Sequence, residues 1–256
     1  MPSATVNGTR LYYEVNGEGE PILFLHPPLL TSSNFRYQQQ LADEFQLVTV
    51  DLRGHGKSAA STVPLSYPVM AEDIRQLLDH LKLKKVYVCG YSTGGGLALE
   101  AMLAYPDRFA GAVLVSAMPE AGDAWLKLRL ATATTLSKRR WSSRLLARAI
   151  SWGNADSRTT YRQLLKHSAG GNRANIEQYY RASRRSACTE RASAIHQPVL
   201  LLYGEKDTGF HKYAWKLHES LPDAELLFVP GAPHQIPTKN AAELNRYMRE
   251  WINSKI

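Results

Sequence analysis

Short apolar runs alternate with longer stretches of helical periodicity along most of the chain. RLYYEV (10–15) follows an Asn7-Gly8 turn and reads as a hairpin strand. PILFLH (21–26) and QLVTVD (46–51) are compact apolar runs bounded by breakers, the pattern of strands buried on both faces of a parallel sheet. Between them, NFRYQQQLADEF (34–45) is helix-like. Ser66 stands where it can cap a helix over 67–82, whose Met70, Ile74, Leu77, Leu78 and Leu81 share one face. KVYVC (85–89), a helix from about 94 to 105 stopped before Pro106, and FAGAVLVS (109–116) follow. Beyond residue 195 the rhythm resumes with PVLLLYG (198–204), a helix near 211–220, ELLFVP (225–230) and a closing helix over 238–253. Strands alternating with helices specify an α/β fold, a mostly parallel sheet covered on both faces.

Composition changes that picture in one place. From Pro119 to Ile195 the chain carries fifteen Lys and Arg against five Asp and Glu, while the remainder carries sixteen against eighteen. The middle stretch is therefore a separate compositional block. It holds no nucleic-acid motif, and its arginines recur among helical residues as a solvated face does, so no nucleic-acid partner is expected. Its Trp125, Leu126, Leu130, Trp141, Leu145, Leu146, Ile150 and Trp152 fall at roughly helical spacing, and such a face is expected to pack on the main domain. No apolar run approaches the ~18 residues of a membrane span, and the start MPSATVNGTRLYY lacks the pattern of a signal peptide. A cytoplasmic protein without a membrane partner is expected. Cys89 and Cys188 have no metal spacing and read as two reduced thiols. Neither a metal nor another cofactor is called for.

Candidate chemistry collects where strands end, which is where ligands bind in such sheets. His26 and Asp51 end their strands, Ser92 follows one, and Asp207 and His234 follow two others. Gly90-Tyr91-Ser92-Thr93-Gly94 has the form G-x-S-x-G between a strand and a helix. Gly94, Gly95 and Gly96 would each cost a helix about 1 kcal/mol relative to alanine, so a sharp, crowded turn must require them. Such a turn projects the serine hydroxyl and aims the helix N-terminus at the same point. A serine needs a base, and of eight histidines His234, in a Gly-Ala-Pro-His loop after the last strand, is the candidate. His211 and His218 fall in a surface helix, and His55 in the Arg53-Gly54-His55-Gly56 loop reads as structural. The orienting carboxylate should lie between serine and histidine in chain order. Asp207, just past PVLLLYG, fits; Glu120, just past the preceding strand, competes.

These residues resemble the α/β-hydrolase superfamily over nearly the whole chain, through FLHPPLL, DLRGHGKS (51–58), GYSTGG (90–95), YGEKD (203–207) and GAPH (231–234). The resemblance implies the α/β-hydrolase fold, an eight-stranded sheet with only the second strand antiparallel and a helical cap inserted after the sixth. Residues 1–118 and 196–256 would form the core and 119–195 the cap. It also implies an architectural role for Asp51 and Arg53. A serine at the elbow argues against haloalkane dehalogenase and epoxide hydrolase chemistry, which uses a carboxylate nucleophile. Members commonly carry His-Gly-x-x after the third strand, with the residue two past the histidine giving an oxyanion-hole amide. Here Pro27 and Pro28 follow His26 and neither has an N–H. Thr93 N–H is then the first oxyanion donor; the second must come from Leu29, the next residue owning an N–H, from a reshaped loop, or from nowhere, and Leu29 is the expectation.

Two function classes follow. The first is a serine esterase or lactonase cleaving a small ester, thioester or lactone, with Ser92 as nucleophile, His234 as base and Asp207 as orienting acid. The second is a small-ligand sensor that retains the same residues and signals through its cap. A monomer or small homo-oligomer serves either.

Overall fold

The computed structural model describes residues 2–256. Eight strands, β1 (Ser3–Val6), β2 (Thr9–Asn16), β3 (Pro21–Leu25), β4 (Gln46–Asp51), β5 (Val86–Tyr91), β6 (Phe109–Val115), β7 (Val199–Gly204) and β8 (Ala224–Val229), form one sheet in the order β1-β2-β4-β3-β5-β6-β7-β8. β2 runs antiparallel to both its neighbours, pairing Tyr12 with Asp51 on β4 and Leu11 with Ala4 on β1, while the other strand pairs are parallel. β3 to β7 are the continuous apolar runs of the sequence, and the central β5 and β7 are buried along their length.

Helices α1 (Tyr67–His80), α2 (Thr93–Ala104), α3 (Ala124–Lys138), α4 (Arg140–Gly153), α5 (Arg158–Ser168), α6 (Arg173–Arg185), α7 (Thr208–Ser220), α8 (Ile236–Lys239) and α9 (Ala241–Asn253) complete the framework. Two apolar clusters lie on the two faces of the sheet. One includes Leu23, Val88, Leu114 and Leu201 with Ile74 and Leu97, the other Phe24, Cys89, Val113 and Leu202 with Met248 and Ile252. Alternate residues of each central strand thus serve opposite cores. Ser66 Oγ accepts from Val69 N–H and caps α1 as its position indicates.

Three elements differ from the sequence reading. The helix-like stretch is a 3₁₀ helix, Ser32–Asp43, kinked at Phe35. Its buried Phe35, Gln38 and Leu41 recur every third residue, the period of a 3₁₀ turn. The closing helix is two helices, α8 and α9, because Asn240 has non-helical φ −135° and ψ 45°. The apolar positions of the basic block do not form one packed face: Leu126 and Leu130 are buried, but Trp125, Trp141, Leu145 and Trp152 are all more than half exposed.

Helices α3 to α6 lie between β6 and β7 and reach back to the carboxyl end of the sheet. Tyr179 of α6 donates its hydroxyl to the His26 carbonyl at 3.1 Å, and Tyr67 of α1 donates to Ser183 of α6 at 3.1 Å. Cys89 and Cys188 are both free and buried.

Candidate active site

The turn from β5 into α2 explains the glycines. Ser92 has φ 54° and ψ −120°, a conformation that costs a non-glycine residue about 1–3 kcal/mol. Its N–H donates to Val115 O at 2.9 Å and its carbonyl accepts from Met118 N–H at 2.9 Å, so both sides of the turn are tied to the end of β6. That position presses α2 onto the sheet. A Cβ at Gly90 would stand 2.7 Å from Gly94 O, one at Gly94 would strike the Leu25 carbonyl, and one at Gly96 would stand 2.8 Å from Met118 O. Glycine is required for close approach at all three.

Ser92 is the N-cap of α2, yet its hydroxyl makes no capping bond. It lies 3.1 Å from His234 Nε2, and His234 Nδ1 lies 2.7 Å from Asp207 Oδ2. The carboxylate can only accept, so Nδ1 carries the proton and Nε2 is left to accept from the serine. Asp207 is likewise the N-cap of α7 without a capping bond. Both residues forgo a cap, worth typically ~1 kcal/mol, and face one imidazole instead. Gly204 permits this: a Cβ there would strike the carbonyls of Ala232 and Pro233, and Lys206 N–H donates to Ala232 O at 2.9 Å. The loop carrying Asp207 is thereby fastened to the loop carrying His234. Phe210, one turn into α7, packs its ring 4.4 Å from the imidazole, centroid to centroid.

Ser92, Thr93 and His234 open into a cavity of about 470 Å³ between the sheet and the insert. Its far wall includes Leu126, Leu130, Leu136, Leu146 and Ile150, and Arg129 is the one permanently charged residue of the lining. Pro27 and Pro28 form the near wall beside Thr93. Leu30 N–H donates to Pro27 O at 3.2 Å and Leu29 has φ 64°. Proline second and positive φ third define a type II turn, whose third N–H takes no part in the turn. The Leu29 side chain is buried in the core, and among the described residues its N–H has no hydrogen-bond acceptor. Thr93 Oγ1 is buried without a partner in the same wall.

Other candidates lie elsewhere. Glu120 pairs with Lys216 Nζ at 2.5 Å and holds α7 to the end of β6. Asp51 accepts from Ser32 N–H, Ser32 Oγ and Lys57 N–H at 2.7–2.9 Å, bracing two loops. Arg53 forms a buried ion pair with Asp73 and donates to Asn7 O at 2.9 Å. His26 accepts from Leu52 N–H at 2.9 Å and donates from Nδ1 to Pro27 O at 2.9 Å, a neutral tautomer that pins the proline turn. Burial lowers its pKa against the opposing charge of Asp51, and burial together with His26 pushes His55 down to about 3. Both ring nitrogens of His26 are thus engaged, and the Ser92 hydroxyl pairs with His234 rather than with either of these histidines. Phe210, Arg129 and Gly204 were not singled out from the sequence; only the placement of Phe210 three residues past Asp207 could have marked it. Among the described residues, no three His, Cys, Asp or Glu side chains cluster as metal ligands would.

A family model of the alpha/beta hydrolase fold matches residues 20–240. The chain is 24% identical over 269 residues to the putative 2-succinyl-6-hydroxy-2,4-cyclohexadiene-1-carboxylate synthase of Bacillus subtilis, covering 94% of this chain and 95% of that one. It superposes on an esterase from Exiguobacterium antarcticum with a TM-score of 0.87 at 21% identity, over 98% of each chain. An enol-lactonase from Burkholderia xenovorans gives 0.85 at 20% identity, over 98% of this chain and 100% of that one. At such identities the solved structures establish the fold.

Proposed function

The chain belongs to the alpha/beta hydrolase fold family, and we propose that it is a serine hydrolase of small carboxylic esters or lactones, working through Ser92, His234 and Asp207. The observation that carries this reading is the unbroken chain from Asp207 through His234 to a serine hydroxyl that opens into a cavity. Similarity to an esterase and an enol-lactonase agrees with it.

Ser92 Oγ attacks the substrate carbonyl carbon while His234 Nε2 takes its proton, and Asp207 steadies the imidazolium that forms. Negative charge gathers on the former carbonyl oxygen. Thr93 N–H at the start of α2 and Leu29 N–H at the proline turn would receive it, both held before the reaction begins. Collapse of this adduct expels the alcohol with the proton from His234 and leaves an acyl-serine. Water, deprotonated by His234, then releases the acid and restores Ser92. In a lactone the expelled alcohol stays tethered to the acyl group. The insert, residues 119–195, acts as a cap that shapes the acyl pocket.

The apolar far wall favours an acyl group of modest size, since the whole cavity is about 470 Å³. Purified protein is to be screened against a graded panel of p-nitrophenyl esters and aliphatic lactones, with Ser92→Ala as the blank. Sustained turnover that vanishes in the blank is expected. A single stoichiometric burst without turnover would instead assign the protein to ligand sensing.

A further inference from the structure

Helix α4 is turned against the usual sense of an amphipathic helix. It buries Ser142, Ser143, Ala147 and Ser151. Three of its large apolar side chains face solvent instead, with Trp141 62%, Leu145 53% and Trp152 66% exposed. Positions 141, 145, 148 and 152 recur at four, three and four residues, so Trp141, Leu145, Arg148 and Trp152 form one stripe. Leu146 and Ile150 point the other way and line the cavity. The exposed stripe is therefore not needed to build the acyl pocket. Trp152 keeps one edge contact, with Tyr161 of α5 at 5.6 Å between ring centroids, yet it, Trp141 and Leu145 all stay more than half exposed, and such a patch marks a surface that something covers.

Charge decides what covers it. Arg139, Arg140, Arg144 and Arg148 are all exposed along the same helix and its entry. Between Asp123 and Asp156 the chain carries seven Lys and Arg and no carboxylate, so nothing in this stretch neutralises them. A second copy meeting this face in a two-fold dimer would set arginine upon arginine. A nucleic acid would engage the arginines but offers Leu145 no apolar partner. An anionic bilayer satisfies both halves: indoles favour the headgroup level, leucine reaches the acyl boundary, and guanidinium groups meet lipid phosphates.

We propose that the Trp141–Trp152 face of α4 binds the surface of anionic lipid bilayers, with the helix lying flat in the interface. Among the described residues no helix is long and apolar enough to cross a membrane, and binding of this kind needs none. The expectation of no membrane partner rested on the absence of a spanning run, which does not bear on an interfacial helix. Anchored this way, the cap would hold its cavity beside the lipid surface, where apolar esters concentrate.

Co-sedimentation of the full chain with vesicles tests this, comparing phosphatidylcholine alone with phosphatidylcholine containing about one third phosphatidylglycerol. Retention only by the anionic vesicles is expected. Trp141→Ser with Trp152→Ser should weaken it about tenfold or more by removing the apolar contact. Arg140→Gln, Arg144→Gln and Arg148→Gln together should weaken it about a hundredfold. Both variants should keep wild-type circular dichroism and turnover of a water-soluble ester, since none of these residues lines the cavity. Equal retention by both vesicle types, no retention, or retention unchanged in the tryptophan variant overturns the proposal. So does tighter binding to duplex DNA than to anionic vesicles, which would assign the face to nucleic acid. A dimer of the free protein that dissociates in the tryptophan variant would assign it to a second copy.

Discussion

Around Ser92 the backbone leaves no slack, because Gly90, Gly94 and Gly204 each stand where a Cβ would strike a carbonyl oxygen. On α4 of the helical insert, a Cβ at Gly153 would meet nothing within 4 Å, and the helix buries serines while displaying tryptophans; close approach recurs where the insert touches the sheet domain, as at Gly170, whose Cβ would stand 2.6 Å from Gly56 O. The difference separates two kinds of constraint. At the sheet's carboxyl end, chain segments far apart in sequence must hold one serine, one histidine and one carboxylate to within hydrogen-bonding reach. Close backbone approach is how they do so. The insert must only enclose a cavity and present an outer surface, so many side chains serve equally well there. Changes at the sheet end should therefore act on the rate of the chemical step. Changes in the insert should act on which molecule arrives.

The sharpest way to break this comparison is at Asp207, the proposed orienting acid. Asp207→Asn offers His234 Nδ1 an amide that can donate, which favours the wrong tautomer and should lower kcat by about 10⁴-fold. Glu120→Gln loses its ion pair with Lys216 but touches neither Ser92 nor His234, and kcat should stay within about twofold, as for a partly exposed pair. Steady-state kinetics of the two variants decide between the carboxylates; the opposite pattern would move the acid to the end of β6.

The next largest effect concerns the Leu29 amide. Proline cannot be used to delete this N–H, since Leu29 has φ 64° and proline requires about −65°. Replacing the Pro28–Leu29 amide by an ester removes the N–H and keeps the side chain. If that N–H receives the oxyanion, kcat should fall about 10²–10³-fold with KM nearly unchanged. Unchanged kcat would show that the second donor lies elsewhere, with the unpartnered Thr93 Oγ1 the next group to examine.

The smallest effect should come from the insert. Ala133→Leu adds apolar volume to the cavity wall contributed by α3. It should move the preferred acyl chain toward shorter members and alter kcat/KM by about 10–200-fold for the longest ones, the range that methylene-sized changes command. Short esters should be hydrolysed as before. A uniform fall in kcat across the panel would mean that the insert also sets the chemistry.

The same division governed what could be read from the residues alone. The Ser92 turn was legible because its glycines answer a demand of the backbone, and that demand leaves a spaced mark in the chain. Asp207 and His234 were legible because they stand in short loops just past apolar strands, β7 ending at Gly204 and β8 at Val229. The 3₁₀ character of Ser32–Asp43 was present as a three-residue repeat of Phe35, Gln38 and Leu41, but polar neighbours masked it. The break at Asn240 left no comparable mark. The outward stripe of α4 was misread because periodicity reports that a helix has an apolar side and not which side faces the protein. Burial by Ser142, Ser143, Ala147 and Ser151 needs the neighbouring helices to be known. Phe210 and Arg129 join the site through tertiary packing, to which sequence spacing is blind.

The central claim is that the hydroxyl of Ser92, poised 3.1 Å from His234 Nε2, is the nucleophile. Treatment of the purified protein with a fluorophosphonate, followed by intact-mass measurement and peptide mapping, tests it directly. The account predicts one adduct per chain, located on Ser92, formed far more slowly in His234→Ala, with esterase activity lost in proportion to labelling. An adduct on any other residue, or full activity in a protein completely labelled at Ser92, would contradict it.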